Sequence, residues 1–439
     1  MEHAPAGEVP AIRLPALIQD VLLWRDPVGQ LRGWADRYGA VFTGNLPATG
    51  PLLFVGDPTA AREVLFSDPQ GSRAGAATAR VLPLLGSACV LRQDGNAHKD
   101  RRRLIGSAFH GENLRRLRSI GAGIADREMA TWPVGKPVAL LPHMQKVVFA
   151  MITFVVLGLT DPWQVERLHK TVLKMTGPSA LSKTWMFPMG DGPVRSKVQR
   201  RAQRRQSATD ELLTRVVGNR RSGDPSGDTD VLGLLLRQER ALGIRTHDTE
   251  MNEELLALLL AGYETTAAAL GWAIERLTRE PLALTQLTES LREGDSTYLR
   301  AFIREVLRWR PPVVDAVREL TQPMNLAGYR IPEGALVVVV PLLVHSRDDA
   351  CPSPDAFQPN RFLDDPRPGK GWIAFGGGRR HCLGSELAML QMEIVITQMM
   401  NGVTFSPSKL RPEQARLLGT VMVPSRGSIA VISRPGPLA

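Results

Sequence analysis

The chain has 439 residues, 43% hydrophobic and 22% charged, with a formal charge of +10. Those fractions are those of a soluble globular protein and exclude a disordered or fibrous one; length alone allows two or three domains or one large helix-rich domain. The basic excess admits a nucleic-acid binder, but the arginines are spread along the chain and no recognised DNA- or RNA-binding motif occurs. Three cysteines, Cys89, Cys351 and Cys382, stand far apart, so neither a disulfide framework nor a Cys-x-x-Cys metal pair is implied and a reducing compartment is the default. No apolar run reads as long enough to span a membrane. The first ten residues have neither the basic start nor the apolar core of a signal peptide.

Taken in chain order, Pro15 to Tyr38 read as a helical lead-in closing on Gly39. Short strand-like pieces follow at Val41 to Thr43 and Leu52 to Val55, then a helix at Ala60 to Leu65. Gly71 to Gly86, rich in Gly, Ala and Ser, reads as a mobile loop. In D-G-N-A-H-K-D-R-R-R, His98 and Arg102 are four apart and share one helix face, where they either hold carboxylates or form an ordinary basic surface; Arg103 is a lesser helper. Helical patterns fill Arg115 to Thr131 and Met144 to Leu157. Gly177 to Pro193 turns irregular, and Met175, Trp185, Met186 and Met189 suit an apolar ligand and simple packing equally. The densest basic run, Arg200 to Arg205, is a solvated helix face or a dock for an acidic partner or anionic substrate.

Thr246 to Leu277 starts with acids and is then apolar nearly all round, the pattern of a helix in the centre of a large protein. Ala257, Ala261, Thr265 and Ala269 recur at steps of four, and Gly262 widens this small-residue stripe, so a helix or a flat ligand can lie close. Glu264 and Thr265 are polar where burial is costly. The helix in A-F-I-R-E-V-L-R-W-R-P-P ends at Pro311-Pro312, and Glu305 and Arg308 are spaced to pair. The same spacing at Glu112/Arg115 and Glu289/Arg292 makes the triplet weak by itself. Met324 to Val340 has strand-turn-strand chemistry with Pro332 and Gly334 in the turn, and Leu418 to Val431 reads as strands and a loop.

The most informative stretch is Phe375 to Gly384, F-G-G-G-R-R-H-C-L-G. Its glycines permit conformations closed to other residues and let a second body approach the backbone. Cys382 stands at a helix entrance, where a thiolate is stabilised and can ligate a soft or borderline metal. Closed zinc sites and iron–sulfur clusters want four ligands, so one lone thiolate fits a single axial bond to a haem iron better. Phe375, Gly378, Arg380, Cys382 and Gly384 match every position of Phe-x-x-Gly-x-Arg-x-Cys-x-Gly, and the stretch resembles the haem-binding signature of the cytochrome P-450 family. The segment A-G-Y-E-T-T resembles that family's oxygen-binding motif. Glu305 and Arg308 resemble its structural ion pair, with Arg361 of P-D-A-F-Q-P-N-R-F as third partner.

The resemblance implies a mainly α fold with a smaller β subdomain: a triangular, helix-rich single domain, residues 1–439, around a buried haem. Its strand-rich lobe would comprise about 38–70, 318–345 and the C-terminal strands, and no reductase domain would be present. It implies a soluble, cytoplasmic, bacterial-type haem-thiolate monooxygenase carrying haem b. Cys382 would ligate iron, with Phe375, Gly376, Gly384, Ala261 and Gly262 against the haem and His98, Arg102, Arg318 and Arg380 around its propionates. Glu264 and Thr265 would supply protons for oxygen activation. Two electrons would come from a ferredoxin or flavodoxin with its reductase, docked near Arg379; Arg380 stands where many soluble bacterial members carry His. The expected product is a hydroxylated or epoxidised lipophilic molecule (terpenoid, fatty acid, steroid or polyketide-like) of secondary metabolism, made by a monomer that binds no nucleic acid. Candidate substrate walls are Leu82, Leu85, Val313, Val314 and Met422, with Asp315 a polar oddity among them, either a turn residue contacting backbone or a substrate contact. The alternatives are oxidative coupling, direct use of peroxide, and a non-catalytic haem sensor.

Overall fold

The helix Asp248–Leu277 is the axis of the fold. Acids Asp248 and Glu250 in its first turn complement the helix dipole, and beyond them its apolar residues are buried on most sides. It packs along helix Leu141–Leu157, where Gly262 permits the contact: a β-carbon there would come within 2.7 Å of Ile152. Tyr263 meets Phe149 edge to face, and the Trp272 indole donates to the Met422 carbonyl at 3.1 Å. The expectation that no segment is long and apolar enough to cross a membrane needs correcting here. This helix meets both criteria, but its apolar window is 72% buried inside the protein.

The computed structural model describes residues 8–434 apart from 48, 83–84, 177–192, 225–226, 366–370 and 408–409, and leaves out the side chains of 176, 193–203, 205 and 364. Trp185, Met186, Met189 and most of the Arg200–Arg205 run therefore lie outside the described residues; Arg204 is exposed on helix Pro193–Arg221. The mainly helical chain carries one five-stranded sheet in the order Val41–Leu46, Gly50–Val55, Leu336–Val339, Ala316–Leu320, Ser72–Arg73. Gly50–Val55 and Leu336–Val339 run parallel and the other pairs antiparallel.

Several local expectations change. The lead-in is two helices, Ala16–Arg25 and Pro27–Tyr38, because the Asp26 carboxylate caps Gly29 N at 2.9 Å with Pro27 at the first helical position. The expected loop Gly71 to Gly86 contains a helix, Ala74–Val81, whose first N–H groups, at Gly75 and Ala76, are held by Asp94 at 2.7 and 2.9 Å. Its partner lies 18 residues downstream, beyond the reach of local pattern. The next segment is pinned to the central helix: Glu253 accepts from Ala88 N and Glu254 from Val90 N. Between Met324 and Val340 the tight turn falls at Ala327 and Gly328, both at positive φ, joining Met324–Leu326 to Tyr329–Ile331; Pro332 to Gly334 form a second, looser turn. The C-terminal strands do not extend the main sheet. Ala415–Leu418 and Val421–Pro424 form a hairpin, and Ile429–Ser433 pairs with Pro137–Ala139 and Thr404–Phe405.

Candidate active site

A cavity of about 1120 Å³ lies between the central helix and the cysteine loop, with a mostly apolar lining. On one side stand Ala261, Gly262, Glu264 and Thr265; facing them are Phe375, Gly376, Arg380, Cys382 and Gly384. The loop closes on itself through Cys382 N to Phe375 O at 2.9 Å, Gly376 N to Ile373 O at 2.8 Å and His381 N to Gly378 O at 3.1 Å. Two glycines are required by geometry. Gly376 and Gly378 both have positive φ, and a β-carbon on Gly378 would come within 2.4 Å of the Leu65 carbonyl oxygen.

The accessible surface of Cys382 opens onto this cavity. Burial among its walls pushes the thiol up, while the Gly384 N–H and the Arg102 charge act in the opposite direction. No three His, Cys, Asp or Glu side chains converge on a metal site among the described residues, so Cys382 is not part of a closed protein-only metal site there.

One end of the cavity is cationic. His98, Arg102, Arg318 and Arg380, distant in sequence, all line it. Arg102 donates to His381 O at 2.6 Å, which ties its helix to the cysteine loop. Arg380 is held by Asp68 at 2.9 Å, Asp94 at 2.6 Å and the Gln93 carbonyl at 2.7 Å, leaving Nη1 without a protein partner among the described residues. Arg318 bonds its Nη1 to Val317 O, but its buried Nε has no partner, and burial pulls its pKa down to about 10. His98 is pulled down to about 4, first by burial and then by the Arg380 and Arg102 charges, so it is a neutral imidazole. Three guanidinium groups with donors to spare around one end suit a ligand carrying carboxylates. A flat cofactor with two propionates would fit this cavity, with Cys382 to ligate its metal, the arginines to hold the propionates and Ala261 and Gly262 leaving room for its face. Arg103 takes no part: it is 72% exposed and pairs with Asp100.

Glu264 and Thr265 sit on the wall opposite the sulfur. The Thr265 hydroxyl donates to Ala261 O at 2.8 Å, so its oxygen can accept from the cavity. The Tyr263 hydroxyl donates to Glu264 at 2.6 Å. Leu82, Leu85, Val313, Val314 and Asp315 also line the cavity. Met422 does not. The hairpin presents Leu417 to Val421 to the cavity, and because successive strand residues face opposite sides, Met422 is fully buried in the core instead.

Glu305, Arg308 and Arg361 meet outside the cavity. Arg308 donates to Glu305 through Nε at 2.7 Å and Nη2 at 2.9 Å, and Arg361 Nε lies 3.2 Å from the same carboxylate. Three supporting residues escaped the sequence reading. Asp68 and Asp94 hold Arg380, and His345 joins the ion pair to the cysteine loop. Its Nε2 accepts from Ile373 N at 3.0 Å, so Nδ1 carries the proton and donates to Arg308 O at 3.1 Å. Burial pulls His345 down to about 3, which keeps it neutral. A lone histidine in V-H-S-R-D carries no spacing signal, so nothing in the sequence marks it.

Comparison with known proteins agrees with this geometry. The family model for Cytochrome P450 matches residues 10–431. A Mycobacterium tuberculosis protein with the provisional name cytochrome P450 135B1 is 34% identical over 96% of this chain and 90% of its own length. One provisionally named cytochrome P450 138 from the same organism is 31% identical over 98% of each chain. Among solved structures, the retinoic-acid-bound cyanobacterial CYP120A1 superposes with a TM-score of 0.85 at 22% identity, covering 98% of this chain and 100% of that one. The cytochrome P450DA heme domain superposes at 0.83 and 17% identity, with 97% of each covered. The chain therefore belongs to the cytochrome P450 family of haem monooxygenases.

Proposed function

We propose that Cys382 is the iron ligand of a haem b held between the cysteine loop and the central helix, and that the enzyme oxidises a lipophilic small molecule with electrons from a separate donor protein. The observation that carries this reading is one cavity lined by a sulfur on one wall, Glu264 and Thr265 on the opposite wall, and spare arginine donors at one end. When bound, the haem supplies the reductive activation of dioxygen and the oxidising equivalent for C–H hydroxylation or epoxidation. Arg102, Arg318 and Arg380 would hold its propionates. Coordination would keep Cys382 as thiolate against the upward push of burial, and the Gly384 N–H would support the charge on sulfur.

The remaining work falls to the chain. Apolar walls at Leu82, Leu85, Val313 and Val314 bind the substrate and keep bulk water out. Thr265 holds a water through its free lone pairs, and Glu264, oriented by Tyr263, passes protons to it. Exposed Lys99, Arg103 and Arg379 border the helix and loop that carry Arg102 and Cys382, and they suit an acidic iron–sulfur or flavin donor protein.

The test is the optical spectrum of the reduced protein under carbon monoxide, with Cys382→Ser beside it. The expected result is the strongly red-shifted Soret band of thiolate ligation, lost in the variant. A spectrum of histidine ligation, or a band that survives the substitution, refutes the assignment of Cys382.

A further inference from the structure

The acids that line the cavity differ in how they are satisfied. Glu253 accepts from Ala88 N and Glu264 from the Tyr263 hydroxyl. Asp315 and Asp210 are different: among the described residues neither carboxylate has an ion pair or a hydrogen bond from another side chain, and of the two Asp315 stands beside the apolar walls Val313 and Val314. A turn-capping aspartate would bond N–H groups further along the chain, and this one does not. Arg318, three residues on, is engaged elsewhere, with the charges of Asp68 and Asp94.

The position is rigid. Met422 N donates to Pro312 O at 2.8 Å, Val313 bridges to Val421, and Ala316 pairs with Val339 in the main sheet. Asp315 is therefore held between two hydrogen-bonded anchors and presented among Val313, Val314 and Val317. A carboxylate has room for about four donors, and no other residue's side chain supplies one here among the described residues. Burial pushes its pKa up to about 7, and no neighbouring cation acts against that push.

The charge pattern selects the ligand. The guanidinium groups of Arg102, Arg318 and Arg380 gather together around Asp68 and Asp94, and none of their charges acts on Asp315. Asp210, whose pKa is raised by burial and then by the Glu253 charge, and Glu253 add two acids to the lining, against the single exposed cation Arg204. We propose that Asp315 is the polar anchor of the substrate pocket and that the substrate is an apolar molecule carrying a cationic amine head. This rests on the haem-site reading above and adds the substrate class. A carboxylate-headed substrate would set like charges together, and a neutral one would supply at most a hydrogen bond and no counter-charge.

The test uses the ferric holoenzyme and three probes of one chain length, titrated by calorimetry below their micellar concentrations: dodecyltrimethylammonium, which cannot ligate iron, 1-dodecanol and dodecanoate. The cation is expected to bind on the order of tenfold more tightly than the alcohol, with dodecanoate weakest. Asp315→Asn is expected to abolish the advantage of the cation while changing alcohol affinity less than about threefold. Wild-type binding in which the alcohol or dodecanoate equals the cation overturns the proposal, whether or not the variant folds. So does a cation preference that survives in Asp315→Asn. Haem content and the carbon monoxide spectrum are recorded on the same samples. Failure there strikes the haem-site reading, whereas normal spectra without cation preference strike only the amine assignment.

Discussion

Replacing Glu305 by Gln tests how the cysteine loop is held from behind. Gln keeps the shape and removes the charge. In the protein, Oε1 accepts from Arg308 Nη2 at 2.9 Å and Gln358 N at 2.7 Å, while Oε2 accepts from Arg308 Nε at 2.7 Å with Arg361 Nε at 3.2 Å. An amide turns one of those oxygens into a donor facing donors. It also leaves Arg308, which is 2% exposed, as a buried cation without a counter-charge. Breaking such a pair by removing one partner destabilises by about 3–5 kcal/mol. The entropy of unfolding for 439 residues is about 0.9 kcal/mol per kelvin, so the melting temperature should fall by roughly 4 °C. The assay is thermal melting of the holoenzyme at one fixed scan rate, because large proteins often unfold irreversibly. Haem loss should precede unfolding in the variant, since Arg308 also holds the Pro354 and Ala356 carbonyls and, through His345, the start of the cysteine loop. A Glu305→Gln protein that melts within a degree of wild type and keeps its haem would refute the reasoning.

Three further outcomes are expected. Gly378→Ala should lose on the order of 3 kcal/mol, from left-handed strain and the clash with Leu65 O, and should be purified with less haem; full haem content would remove the steric argument. Glu254 has a folded pKa raised by burial to about 7, so its contribution favours folding at low pH and is lost as pH rises from about 4.5 through 7. Glu254→Gln should therefore stabilise at pH 8 by up to roughly 3 kcal/mol and gain nothing at pH 4, with Val90 N still accepted; equal gains at both pH values would contradict the sign. Thr265→Ala should divert electrons to released hydrogen peroxide, with product per electron pair falling on the order of tenfold; unchanged coupling would exclude the hydroxyl from proton delivery.

Fold class and the main candidates were legible because they depend on local constraints. A thirty-residue helix with acids at its start and apolar residues nearly all round reads as a buried one, and a glycine-rich loop ending in cysteine at a helix entrance has few chemical uses. Glu305 and Arg308 lie within one helical turn, so their pairing follows from spacing. Local pattern also has a period, and the error at Met422 came from naming a hairpin tip without fixing which strand face meets the cavity.

Long-range partnership belongs to the tertiary structure alone. Asp94 holds Arg380 across 286 residues, Arg102 reaches His381 O across 279, and His345 joins the buried ion pair to Ile373. Such contacts leave no periodicity or spacing in the chain, because they depend on where separate elements pack. The character of Asp315 is of the same kind. The letters P-P-V-V-D-A-V-R admit a turn residue, and only the folded walls around it show an acid that lines the cavity with no neighbouring cation acting on it among the described residues. The sequence by itself determined the long helices, the fold class and the position of the cysteine loop; the packing decided which charges find partners.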